Sequence, residues 1–162
     1  MVSENAKRNG RLKICLLTYR GNPTCGGQGV YINYLSRALR DLDHDVDVIS
    51  GPPYPVLAEG VKLHRLPGLD LYNPDHLFEV QRFRDLLSPL NQIEYLSMCA
   101  GGFPEPFTFG WRVYNFLRSR RRDYDTIHDN QCLAYGLLGL PRLGFPTLAT
   151  IHHPITVDRD VG

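Results

Sequence analysis

The order of patterns along this chain predicts an α/β fold built on a doubly wound parallel sheet of the Rossmann-like kind. Three observations carry that expectation. A continuous apolar run at residues 12–18, LKICLLT, reads as a strand buried on both faces. A glycine-rich loop then gives way to helical periodicity and a second strand. Near the other end, two short apolar stretches each stop abruptly in polar residues, HDN and HH. Strand, loop, helix and strand in alternation imply parallel pairing with right-handed crossovers.

The elements follow in order. Residues 1–11, MVSENAKRNGR, are polar and read as a disordered leader; they lack the apolar core of a signal peptide. After the first strand comes the loop YRGNPTCGG. From Gln28, the residues Val30, Tyr31, Tyr34, Leu35, Ala38, Leu39 and Leu42 recur at three- and four-residue steps, and are expected to form the buried face of a helix. Asn33, Ser36, Arg37, Arg40 and Asp41 are assigned to its polar face. DVDVIS at 45–50 alternates as a strand with Val46 and Val48 inward, and VKLHRLP holds a third. In the least readable part, 70–106, residues 75–87 suggest a helix with Leu77, Val80, Phe83 and Leu87 on one face, and GGFPEP reads as loop. Residues 107–120 return to helical spacing through Trp111, Tyr114 and Leu117. YDTIHDN is a strand, QCLAYGLLGL a short helix and PTLATIHHP a further strand.

Composition bounds the function. The chain has 162 residues, enough for one domain, with 43% hydrophobic and 22% charged residues. A net charge of +1 makes no electrostatic case for nucleic acid. The basic run around Arg118, Arg120, Arg121 and Arg122 suits a solvated helix end. Four cysteines show no CxxC pair and no metal-type spacing; Cys15 and Cys132 read as small core residues, and free thiols suit a cytoplasmic setting. No stretch reaches the roughly 18 apolar residues that span a bilayer, which leaves peripheral contact with a membrane open.

In doubly wound sheets, ligands gather beyond the carboxyl ends of the strands. Three clusters fall there. Gly26, Gly27, Gln28 and Gly29 open the first helix, where glycine admits close backbone approach and helix-start N–H groups attract anions; a tight turn packed for its own sake is the alternative. The spacing is not the dinucleotide fingerprint G-x-G-x-x-G. His128, Asp129, Asn130 and Gln131 form the second cluster, and His152 and His153 the third. A strand-end histidine is often structural, but three polar clusters on one sheet edge favour a site. His128 and His152 lack an identifiable third metal ligand, and no G-x-S-x-G elbow is present.

These segments together suggest a family. LKICLLTYRGNPTCGGQGVYINYLSRAL, YDTIHDNQCLAYGLL and PTLATIHHPIT resemble the opening strand–loop–helix, an Asp-x-x-His strand and a Thr-x-His segment of retaining glycosyltransferases of family 4. The resemblance covers residues 11–157. It implies half of a GT-B arrangement, in which an N-terminal domain (here residues 12–162) receives the acceptor and a second domain grips a nucleotide-sugar donor. It further implies that the backbone at Gly26, Gly27 and Gln28 lies near a donor diphosphate or acceptor phosphate. His152 then contacts the transferred sugar, and His128 and Asn130 line the acceptor side. No metal or other cofactor is implied. The donor domain's basic pair and glutamate motif have no counterpart in the chain. The expectation is therefore a hexosyl-transferring domain that is inactive in isolation. A stand-alone phosphate- or sugar-binding module, or one half of a split enzyme, is the alternative reading.

Overall fold

The computed structural model describes residues 10–23, 27–73, 75, 80 and 83–152. Five strands form one sheet: β1 (Lys13–Thr18), β2 (Asp45–Ser50), β3 (Lys62–Arg65), β4 (Thr126–Asn130) and β5 (Thr147–Thr150). Their spatial order is β3-β2-β1-β4-β5, and every pairing is parallel. The first strand is central, as its apolar run requires: five of its six residues are buried.

Alternation along β1 sorts the core into two layers. Ile14 and Leu16 join Val46, Val48 and Ile32 under helix α1 (Gln28–Asp41). Cys15 and Leu17 join Ile49, Ile127, Phe109, Val113 and Leu117 beneath helix α3 (Glu105–Leu117) on the opposite face. Both faces of the sheet are therefore covered, and the single-sided alternation expected of 45–50 gives way to burial of Val46 to Ser50 without a break.

The inward face of α1 differs from the expected one. Gly29, Ile32 and Ser36 are buried, with Leu35 and Leu39 packed beside them, whereas Val30, Tyr34 and Leu42 are exposed. The reason is the close seat of the helix on the sheet. Small Gly29 and Ser36 fit where a larger side chain would hold it off, and Ser36 satisfies its hydroxyl on the Asn33 carbonyl at 3.0 Å. Helical spacing identified the helix, but a set drawn from every apolar residue was rotated from the true contact face.

In the 70–106 region the structure departs from the expected helix at 75–87. Among the described residues, 83–87 form a 3-10 turn whose Phe83 and Leu87 lie exposed, and the helix in this region is α2 (Pro89–Cys99). The expected positions Leu77 and the rest of 76–79 lie outside the described residues. Helix α2 escaped notice because it buries polar Asn91 and Glu94 instead of an apolar stripe. Helix α3 starts inside the expected GGFPEP loop, with Glu105 in its first turn. Cys15 and Cys132 are buried as expected, while Cys25 lies outside the described residues. No described helix is long and apolar enough to cross a membrane.

Candidate functional site

Chain order reverses between β1 and β4: β1 leads through α1 to β2 on one side, while β4 lies on its other side. A crevice at the carboxyl ends follows from such a switch point. Helix α1 begins there. Its N-cap, Gly27, has φ +71°, in the left-handed region that favours glycine, and a Cβ at this position would meet open space. Gly29 serves a different end. A Cβ on it would come within 2.1 Å of the Asn22 carbonyl oxygen, so the β1–α1 loop and the helix start pack backbone to backbone.

The first intrahelical bond runs from Tyr31 N–H to the Gly27 carbonyl at 2.8 Å. The N–H groups of Gln28, Gly29 and Val30 precede it and have no partner within the helix. Among the described residues no side chain caps this end, and no acidic residue occupies its first turn. The positive end of the helix dipole is thus open to an anion. Burial raises the pKa of the Tyr19 phenol, with the Gln28 side chain opposing that rise, and Gln28 Oε1 is buried with no partner among the described residues.

On the other side of the switch point, β4 carries His128 and Asn130 on the α1 face. The two have different surroundings. His128 Nε2 lies 2.7 Å from the Thr150 hydroxyl on β5, and half-burial lowers its pKa from the ordinary value. Asn130 is fully buried at the end of β4, and its Oδ1 lies 2.6 Å from Nε2 of His152, just past β5. An amide oxygen only accepts, so Nε2 carries the proton and Nδ1 of His152 is left as an acceptor. The ring meets Tyr31 edge-on, with centroids 4.6 Å apart and planes at 84°. The His152 backbone N–H donates to Gln131 Oε1 at 3.2 Å. Asn130 Nδ2 is buried with no partner among the described residues.

Asp129 faces the opposite layer and is structural. It is buried and accepts the backbone N–H groups of Cys132 and Leu133 at 3.3 and 2.9 Å, holding the turn after β4, in which Gln131 and Leu133 have positive φ. Burial raises its pKa, and the two backbone bonds oppose that rise.

Of the residues singled out from sequence, His152 and Asn130 are in contact, and the His152 ring reaches α1 at Tyr31, three residues past Gln28. His128 sits one step deeper along β4 and turns to Thr150. Gly26 and His153 lie outside the described residues. Sequence reasoning missed Tyr31 as a partner of His152, having assigned it to the buried face of α1, and missed Tyr19; Gln131 was placed in the second cluster but without its contact to His152. Among the described residues, no group of three or more His, Cys, Asp or Glu side chains is arranged to hold a metal ion.

A family model described as Glycosyltransferase Family 4 matches residues 25–160. A relative from Mycolicibacterium hassiacum, the MMP alpha-(1->4)-mannosyltransferase, is 48% identical over 151 residues. That match covers 93% of this chain and 37% of the relative, so the chain spans well under half of the relative's length. Matched by the family over most of its residues and by a relative at this identity, with a five-stranded parallel sheet whose first helix meets the Thr-x-His segment through Tyr31 and His152, the chain belongs to glycosyltransferase family 4.

Proposed function

We propose that this domain is the acceptor-side half of a two-domain glycosyltransferase. It works opposite a donor-gripping domain to move a hexosyl unit from a nucleotide sugar to a sugar-bearing acceptor, with retention of anomeric configuration. The relative's name supports mannose as the unit moved and an α-(1→4) linkage as the bond made. The observation that carries the reading is the pairing of His152 with Asn130, edge-on to Tyr31, beside the uncapped start of α1.

Each part has a chemical task. The N–H groups of Gln28, Gly29 and Val30 stabilise phosphate charge as it grows on the leaving group. His152, with its Nε2 proton committed to Asn130, accepts a hydroxyl hydrogen of the transferred sugar through Nδ1 and fixes that ring against the phosphate. The buried Oε1 of Gln28 and Nδ2 of Asn130 offer one further acceptor and one further donor to bound hydroxyls. His128, tied to Thr150, supports the wall of the acceptor side and does not reach the sugar itself.

Closure of two domains would exclude water from the reacting centre, which one half cannot do. Titrating the isolated chain with nucleotide-linked mannose by calorimetry tests the division of labour. The expected dissociation constant is about 1 mM or weaker, roughly −4 kcal/mol. Micromolar binding would mean that the chain holds the donor by itself, as a stand-alone nucleotide-sugar module.

A further inference from the structure

A second cluster of chemistry lies on the same sheet edge, on the far side of β1. A cavity of about 10 Å³, room for one water-sized group, lies among residues that follow three strands: Tyr19 after β1, Gly51 and Pro52 after β2, and Gly68 and Asp70 after β3. Helices α2 and α3 close it with Glu94, Glu105 and Arg112. Tyr19 relates it to the site described above, because it lines the cavity while its phenol feels the Gln28 side chain, which opposes the rise in pKa that burial causes.

The two glutamates in the wall differ sharply. Glu94 is complete: it accepts the Leu69 N–H at 3.2 Å, the Thr108 hydroxyl at 3.0 Å and Arg112 Nη2 at 2.7 Å. Glu105 is 6% exposed, yet neither of its carboxylate oxygens has a hydrogen-bond partner among the described residues. Its nearest cation, Arg20 Nε, stands off at 3.6 Å. Arg20 is divided between Glu105, the Tyr72 carbonyl at 3.2 Å and Asp70 at 4.0 Å. Asp70 Oδ1 is likewise buried without a hydrogen bond. Buried acceptors normally find donors, so three unpartnered ones around a small space point to something that supplies protons to them.

Charge and size select the donor. Arg20 and Arg112 already offset most of the negative charge of Asp70, Glu94 and Glu105, so a further cation gains little. An anion is repelled. A neutral O–H remains, and the space admits one. Resting on the glycosyl-transfer reading above, we propose that this cavity is a hydroxyl subsite for the acceptor, in which one hydroxyl of a saccharide donates its single hydrogen to Glu105, beside Asp70.

The test is a titration of the chain with an α-(1→4)-linked mannooligosaccharide, followed by amide proton–nitrogen spectra. Wild-type spectra should shift at Gly68, Asp70 and Glu105 as well as near Gln28. Glu105→Ala should weaken the dissociation constant about tenfold, as loss of a charge-assisted hydrogen bond implies, and Glu105→Gln should weaken it less. Should Glu105→Ala not fold, the wild-type shift map and Glu105→Gln decide the matter. Shifts confined to Gln28 and His152, with affinity unchanged in both variants, would overturn the subsite alone and assign the cavity an ordered water only. A wild-type chain that binds no glycan anywhere would overturn the subsite and the parent reading together.

Discussion

Asn130 and His152 meet across 2.6 Å at the ends of adjacent strands, one fully buried and the other exposed. The buried amide acts as an anchor and the exposed ring as the working group. Two consequences follow. His152→Ala, made in an active two-domain enzyme, should lower turnover by one to a few orders of magnitude, about 1.5–4 kcal/mol of transition-state stabilisation. It should also cost about 1–2 kcal/mol of stability, because it leaves the buried Asn130 Oδ1 without its donor. An alanine variant that melts early and turns over normally would return His152 to a structural role.

Asn130→Ala should lower turnover through His152 and also cost about 1–2 kcal/mol of stability, since it removes a buried hydrogen bond. Asn130→Asp keeps an acceptor facing Nε2–H and should recover more activity than the alanine variant. The losses from Asn130→Ala and His152→Ala should not add, because they break one contact. Additive losses in a double-mutant cycle would show that the two residues act independently.

Glu105 makes a pH prediction. Burial raises its pKa to about 7 from an ordinary 4.5, against the opposing pull of Arg20 and with further push from Glu94 and Asp70. Between those values the folded chain holds a proton that the unfolded chain releases, so stability falls as pH rises through the window. The loss is complete above about pH 7 and amounts to roughly 3 kcal/mol. Glu105→Gln cannot ionise. It should match the wild type near pH 4.5 and be the more stable protein at pH 8, as read by urea denaturation at both pH values. Equal pH dependence in the two proteins would contradict this account of the burial.

The two glycines at the start of α1 should respond differently. Gly27→Ala meets no atom but must hold φ +71°, a strain of about 1 kcal/mol. Gly29→Ala forces a methyl against the Asn22 carbonyl and should be destabilising by more than that, or displace the helix from the loop. Thermal melts of the two variants decide the order. A Gly29→Ala protein as stable as Gly27→Ala would mean that the loop yields freely.

What could be read from residues alone follows a physical division. Strand β1 announced itself because burial on both faces leaves only apolar choices, and β2 appeared with the same bounds as its sequence run. The face of α1 was misassigned because its contact positions are Gly29 and Ser36, chosen for size and not for hydrophobicity. Helix α2 was missed because its buried groups are Asn91 and Glu94, whose worth depends on Thr108 and Arg112 of another helix. His152 and Asn130 could each be picked out as polar strand ends. Their contact could not, since it depends on β4 and β5 pairing with Asn130 opposite Thr150. Glu105 carried a local signal, an acidic residue directly after Pro104 at a helix start. Its isolation from donors is a property of the packed structure only.

The central claim is that this sheet edge serves sugar transfer when a donor domain faces it. The most direct measurement replaces the matching segment of the Mycolicibacterium hassiacum relative with this chain. It then follows mannose transfer from nucleotide-linked mannose to an α-(1→4)-mannooligosaccharide, with His152→Ala in parallel. The account predicts transfer by the chimera, α-configured product, a fall of one to a few orders of magnitude with His152→Ala, and no transfer by the isolated chain. A chimera that folds and binds the oligosaccharide but transfers nothing, or one in which His152→Ala is without effect, would contradict it.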